Sequence, residues 1–297
     1  MNSVLTLVAP AGALDAAIVA EVIRALNGLG ATAGDPAWLA EAEAVDIPFG
    51  GTDAPDADKT ARGLDVCRGM DLFAGPAAAR RKKLLMADMD ATMVTSETLD
   101  DLAAQVGLKD KVAAITARAM NGELDFEAAV KERVGMLAGL SESALAETYA
   151  DITLSPGAQT TVRTMRAHGA HCVLVSGGFT YFTSRVAEAC GFHEHHANRL
   201  GIAGAKLTGE VIEPILGKEA KLATLQRLAG ERGLADHETI AVGDGANDLP
   251  MLKAAGLGVA YHGKPVVAEG AGARIDHGGL TALLFFQGYR REEFAPQ

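Results

Sequence analysis

The sequence predicts an α/β protein: a doubly wound parallel sheet with an inserted helical cap, preceded by a small α+β unit. Three observations lead there. From residue 84 onward, apolar runs of strand length alternate with helical stretches. The hydrophobic fraction is 48% with only 5% aromatics, mostly Ala, Leu and Val, which suits helices on a sheet better than a sandwich. The 34 glycines fall largely in short clusters between apolar runs, where strand-to-helix turns need them. At 297 residues the chain has room for about two domains.

The N-terminal part comes first. Ser3 to Val8 reads as a short strand, and Leu14 to Leu29 as a helix ending at Gly28 and Gly30. Ala42 to Phe49 alternates apolar and polar residues, as a half-buried strand does. Gly50-Gly51 and Asp53 to Asp58 read as a turn-rich break, and Leu64 to Leu72 as another strand. The expectation is a unit over 1–76 with about three strands and one clear helix, then a linker over 77–83. The basic run Arg80-Arg81-Lys82-Lys83 reads, in an acidic chain, as the solvated entry to a strand rather than a nucleic-acid patch.

The core is expected over 84–297. Its strands are Leu84 to Asp88, Cys172 to Ser176, Thr239 to Gly243 and Leu257 to Ala260. Helices such as Ala158 to His168 and Lys218 to Leu234 separate them. Leu99 to Ala150 carries only helical patterning and is too long for an ordinary crossover, so a cap is expected at about 100–152. Asn198 to Ile212, with three glycines among β-type residues, reads as a hairpin flap.

Several function classes are set aside. A net charge of −11 argues against nucleic acid or an anionic membrane as partner. Cys67, Cys172 and Cys190 are widely spaced, so neither a disulfide framework nor a zinc knuckle is implied. No apolar stretch reaches about 18 residues, and the N-terminus lacks a basic signal region, so a cytoplasmic protein is the expectation. His193-Glu194-His195-His196 reads as an exposed turn before the flap rather than a metal site.

The chemistry lies at strand ends. Asp88 and Asp90 end the first core strand, Ser176-Gly177-Gly178 the second, and Gly243-Asp244-Gly245-Ala246-Asn247-Asp248 the third, while Lys221 follows the flap in a helix. In an open α/β sheet these ends face one crevice. Clustered acids are costly to bury without a cation. Hard oxygen donors suit Mg²⁺, and a hydroxyl, glycine N–H groups and a lysine suit phosphate oxygens. Each motif alone is weak; their order and placement carry the reading.

With those motifs in view, the chain resembles the phosphoserine phosphatases of the haloacid dehalogenase superfamily. The pattern is matched at Asp88 to Thr92, Ser176 to Phe179, Lys221 and Gly243 to Asp248. Glu97, the run Ala119 to Gly122, Phe126 and Arg133 extend it, so that it covers about residues 80 to 285. One departure is Ala91, where these enzymes usually carry Ser. The resemblance implies Mg²⁺-dependent hydrolysis of O-phosphoserine, the last step of serine biosynthesis. In it Asp88 is the nucleophile, Asp90 the acid and base, and Lys221 the partner of the phosphoryl group. It implies metal ligands at Asp88, Asp90 and Asp244, and substrate contacts from Glu97, Met120, Phe126, Arg133, Ser176, Gly177, Gly178 and Asn247. Thr92 and Asp248 are expected behind them. Glu97 is the natural partner of the serine ammonium, and Arg133 of its carboxylate. The N-terminal unit is expected to be ACT-like, as in some relatives, and to support a homodimer. The alternatives are a phosphatase or phosphotransferase for another phosphorylated metabolite, and a non-catalytic amino-acid sensor.

Overall fold

The computed structural model describes residues 1–120 and 123–296, with the backbone alone at Met120. The N-terminal part runs β1 (Ser3–Val8), α1 (Ala16–Gly28), β2 (Thr32–Ala33), β3 (Ala37–Ala40), β4 (Ala44–Gly50), α2 (Ala54–Arg62) and β5 (Asp71–Pro76). These strands form a five-stranded sheet ordered β2-β4-β1-β5, with β3 also on β4. One face carries Leu5, Leu7, Val45, Ile47 and Leu72 against Val19, Val22 and Leu26 of α1 and Ala57 and Ala61 of α2.

This part is richer than its sequence suggests. The segment read as a turn-rich break is helix α2. Asp53 accepts a hydrogen bond from Asp56 N–H at 2.8 Å, and Pro55 stands in the first turn, so both are helix-start signals. The strand read over Leu64 to Leu72 begins only at Asp71, because a 3₁₀ turn (Asp65–Cys67) and Gly69 at φ 82° intervene.

The second part runs β6 (Leu84–Ala87), α3 (Thr98–Ala104), α4 (Lys109–Met120), α5 (Phe126–Gly135), α6 (Ser143–Ala150), α7 (Ala158–Ala167), β7 (His171–Phe179) and α8 (Thr180–Cys190). It continues through β8 (Glu194–Ala203), β9 (Lys206–Ile212), α9 (Lys218–Glu231), β10 (Thr239–Gly243), α10 (Leu249–Ala254), β11 (Leu257–Tyr261), α11 (Pro265–Gly270), β12 (Ala273–Ile275) and α12 (Ala282–Phe286). The sheet order is β12-β11-β10-β6-β7-β8-β9. All neighbours are parallel except the β8–β9 hairpin. Alternation sorts the two faces: Leu85, Ala87, Cys172 and Leu174 face α7, α8 and α12, whereas Leu84, Met86, Val173 and Val175 face α9 and α10. From β6 the chain builds outward on one side through β7 and β8, then returns to build β10, β11 and β12 on the other. That reversal puts a crevice at the carboxyl ends of β6, β7 and β10.

The second face of the N-terminal sheet is not solvated; it docks on this core. Phe73 meets Phe286 at a ring separation of 5.5 Å. The Arg80 guanidinium pairs with Asp46, and its Nη2 reaches the Thr6 hydroxyl at 2.8 Å and the Phe285 and Phe286 carbonyls at 3.2 Å. Arg81 pairs with Glu293, and Lys83 with Glu238. In the basic run read as a solvated strand entry, Arg81 and Lys83 are exposed as expected, but Arg80 is an anchor, because the polar face of β1 and β4 needs a cation once it is covered. The Asp71 carboxylate completes the contact by accepting from the N–H groups of Asp276 (2.7 Å), His277 (3.1 Å) and Gly278 (2.7 Å). Two residues on, Leu280 N–H donates to the Pro156 carbonyl at 2.8 Å, in the segment by which the chain leaves helices α3–α6.

The His193–His196 segment also differs from its expectation, since Glu194 to His196 open β8 rather than lie in a turn. Their side chains are internally partnered: His171 and His196 share the Glu194 carboxylate at 2.6 and 3.0 Å, and His195 bonds Thr183 at 2.9 Å.

Candidate active site

The site is built where β6 stops. Asp88 follows the strand, its N–H donating to Val242 O of β10 at 3.0 Å. The chain then makes an irregular turn over Met89–Met93 in which Ala91 has φ 50°. A left-handed residue other than glycine costs about 1 kcal/mol. The Ala91 N–H to Ser96 O bond of 3.1 Å helps hold it. This turn brings the Asp90 carboxylate back over the strand end. There Oδ1 accepts from Thr98 N–H (2.8 Å) and Oδ2 from the Ser176 hydroxyl (3.0 Å). Ser176 in turn accepts from Gly178 N–H at 2.8 Å. A Cβ on Gly178 would lie 2.8 Å from the Asp90 carboxylate, so the close approach requires glycine.

Lys221, on α9, is 1% exposed and ion-paired to Asp88 (2.8 Å) and Asp248 (2.6 Å). Burial alone would lower its pKa, but the charges of Asp248 and Asp88 outweigh it and raise it, so it stays an ammonium. Burial, then the charge of Asp248, pushes the Asp88 pKa well above the usual carboxylate range, against the pull of Lys221.

Asp244, after β10, has both carboxylate oxygens buried without a hydrogen-bond partner among the described residues. Burial, then Asp248, raises its pKa to about 7. Asn247 Oδ1 and Thr92 Oγ1 are buried and unpartnered as well. Asp88, Asp244 and Asp248 each offer an oxygen within 4.8 Å of the others. Carboxylate oxygens without hydrogen bonds, with Lys264 Nζ no nearer than 3.9 Å, beside two further acids are the donor set of a hard divalent cation, so the residues fit a metal.

The helices over residues 98–150 cover the crevice. Glu97, Phe126 and Arg133 join Asp88, Asp90, Ser176, Gly177, Gly178 and Asn247 around one cavity. The Phe126 ring presses on Gly177, where an added Cβ would fall 2.6 Å from it. Burial, then the charges of Asp90 and Asp244, raises the Glu97 pKa well above its usual range. Arg133 is 5% exposed, and no carboxylate of the described residues lies within ion-pair distance of it. Met120 is in the backbone of α4, but its side chain, like Asn121 and Gly122, lies outside the described residues.

Sequence reasoning missed three buried polar residues behind the lining of this cavity. Asn198, at the root of the hairpin, donates to Gly177 O (2.8 Å) and accepts from Leu216 N–H (2.7 Å), tying the second strand end to the loop before α9. Asp100 and Thr116 bond each other at 2.6 Å beside Arg133. None stands in a motif. Asn198 opens a segment read only for its turns, and the other two are single polar letters in helices.

A doubly wound sheet whose central strand ends in paired acids, with a buried lysine, a metal-competent acid cluster and a helical cover, brings together the groups that phosphoryl transfer calls for. The comparisons carry this one step further: the family model for haloacid dehalogenase-like hydrolases matches residues 85–253, and the chain belongs to that family. It is 40% identical over 236 residues to a phosphoserine phosphatase of Streptomyces coelicolor, covering 80% of this chain but only 57% of that one. The chain thus spans little more than half the length of that curated relative. A structure described as a phospho-aspartyl intermediate analogue of phosphoserine phosphatase superposes with a TM-score of 0.66 at 37% identity, covering 69% of this chain and 98% of its own. A HAD family hydrolase of Salmonella enterica superposes with a TM-score of 0.82 at 29% identity, over 96% of this chain and 98% of its own.

Proposed function

We propose that the chain is a phosphoserine phosphatase, hydrolysing O-phospho-L-serine to L-serine and phosphate in the last step of serine biosynthesis. The observation that carries this is one cavity lined by the acid pair Asp88 and Asp90 and also by a carboxylate, Glu97, and a guanidinium, Arg133. A phosphorylated amino acid has the matching set: a phosphate, an ammonium and a carboxylate. The names of the similar proteins support the same substrate.

In this reading Asp88 attacks phosphorus and forms an aspartyl-phosphate. Asp90, held by Thr98 N–H and Ser176, protonates the leaving serine oxygen and later takes a proton from the hydrolytic water. Lys221, Ser176 and Gly178 N–H meet the equatorial phosphoryl oxygens, with Asn247 beside them. Glu97 receives the ammonium, Arg133 the carboxylate, and Phe126 keeps water out. Asp88 and Asp244 by side chain and Asp90 by backbone carbonyl would hold Mg²⁺, with Asp248 and Thr92 behind them. When bound, Mg²⁺ offsets the repulsion between carboxylate and phosphate. The space left among these side chains is about 30 Å³. Ligand pockets run to several hundred Å³, so the cavity has to widen to admit the substrate.

The wider organisation belongs to the same proposal. Residues 1–76 form an ACT-like domain, 77–83 a linker, and 84–297 the catalytic core with its cap at about 100–152. The strand order and the two helices on one face support the first of these. Pairing of two copies through it is supported by the sheet edge at β2 and β3, which no further strand among the described residues covers. Three buried free cysteines suit a reducing compartment such as the cytoplasm. No helix among the described residues is long and apolar enough to cross a membrane.

The test is phosphate release from a panel of phosphomonoesters with and without Mg²⁺. Phosphoserine should lead the panel. Equal turnover across it would sink the substrate assignment, and no turnover of any ester would leave the sensor reading in its place.

A further inference from the structure

Arg133 is a cation held ready rather than one already matched. A guanidinium carries five N–H donors. Nε donates to Ala129 O on its own helix at 3.1 Å, and Nη1 donates to the Thr116 hydroxyl at 2.8 Å. The other donors have no partner among the described residues, and the group faces the cavity that holds Asp88 and Asp90. Thr116 passes the contact on. Its hydroxyl lies 2.6 Å from Asp100 Oδ1 and 3.1 Å from Val112 O. It has one proton, which the shorter bond to the charged oxygen takes, leaving its lone pairs to Arg133. All three residues are buried, and they come from three helices: Asp100 on α3, Thr116 on α4 and Arg133 on α5.

We propose that Thr116, backed by Asp100, is a positioning residue for Arg133. It sets the guanidinium fork and keeps its free edge open for a carboxylate on the substrate. The physical point is the hydroxyl in the middle. An acid paired directly to Arg133 would satisfy the fork and compete with the incoming carboxylate. An apolar neighbour would leave a buried cation uncompensated. A threonine between them lets the acid's charge support the cation at one remove while leaving the bidentate edge unused. The substrate class this selects is a phosphomonoester carrying a carboxylate near the ester carbon. The inference rests on the phosphoserine reading, because it assigns the same cavity.

The experiment compares O-phospho-L-serine with O-phosphoethanolamine, which lacks only the carboxylate, using the full chain. Thr116→Val keeps the shape and removes the hydroxyl. A hydrogen bond to a charged group is worth about tenfold or more in affinity. The expected result is a KM for phosphoserine raised by about tenfold or more, with kcat within about threefold and phosphoethanolamine kinetics moved far less. Thr116→Ser should restore the preference, and Thr116→Ala should reproduce the loss should the valine variant not fold. If the preference for phosphoserine survives both Thr116→Val and Thr116→Ala, or both substrates suffer equally, the positioning role is overturned while the substrate assignment stands. If the wild-type chain shows no preference for the carboxylate, the substrate assignment fails and takes this inference with it.

Discussion

Replacing Arg80 by methionine tests how the two sheets are joined. Methionine keeps most of the apolar stem and removes the charge. What remains is Asp46, whose side chain is 10% exposed, facing the Thr6 hydroxyl at 2.7 Å and no cation. The Phe285 and Phe286 carbonyls also lose their donor. Removing one partner of a pair this buried costs roughly 3–5 kcal/mol, because the stranded charge is left uncompensated. That is a large part of the about 5–15 kcal/mol that holds a typical protein folded. With a urea slope of about 1–3 kcal/mol per molar, the midpoint should fall by about 1 M or more. The chain has a single tryptophan, Trp38 on β3, so its fluorescence reports the N-terminal sheet, while far-ultraviolet dichroism reports the whole. In Arg80→Met the Trp38 transition should move to lower urea and separate from the dichroism transition. Adding Asp46→Asn should recover part of the loss, since the stranded charge is gone. Coincident transitions with an unmoved midpoint would refute the argument that this pair joins the sheets.

Other expectations follow from the same geometry. Asp88→Asn should lower turnover by about a thousandfold or more, read as phosphate release; residual activity within about tenfold of wild type would remove Asp88 from the nucleophile's role. Chelation with EDTA should abolish activity and excess Mg²⁺ restore it, and failure of Mg²⁺ to do so would count against the metal assignment. In EDTA the folded pKa of Asp244, about 7, lies above its ordinary 3.8. Its stabilising contribution is therefore complete below pH 3.8 and is lost as pH rises to about 7, a swing of roughly 4 kcal/mol. Thermal melts of the metal-free protein should show that decline and Mg²⁺ should reverse it; a flat profile of the metal-free protein contradicts the burial argument. Burial pushes the Cys67 thiol up to about 11, and Cys172 and Cys190 up to about 12, so none should react with a disulfide reagent at neutral pH until urea exposes them.

The parts of this molecule that could be read from its sequence are those where chemistry and periodicity coincide. The runs at β6, β7, β10 and β11 are apolar because both their faces are covered, and the first three end abruptly in acids or glycines because the crevice lies there. The N-terminal sheet was harder to read. Asp53 and Pro55 serve turns and helix starts equally well, and only the shape of α2 decides between them. Thr6 and Asp46 look like a solvent face until Arg80, far along the chain, is laid across them. The same limit hid Asp100, Thr116 and Asn198. A polar residue on a helix or at a hairpin root looks alike whether it meets water or a neighbour, and these meet partners only through the tertiary fold.

Asp71 has a consequence for how freely this chain can be cut. A solved relative is matched over 98% of its length by only 69% of this chain. Here the corresponding body has been tailored to its neighbour. Removal of the first sheet would bare Phe286 and leave three N–H groups near β12 without the carboxylate that gathers them. The same stretch holds Pro156, in the segment by which the chain leaves helices α3–α6. In this protein the accessory layer and the helical cover are not independent modules: they share one stretch of chain, and trimming the one disturbs the mechanical footing of the other.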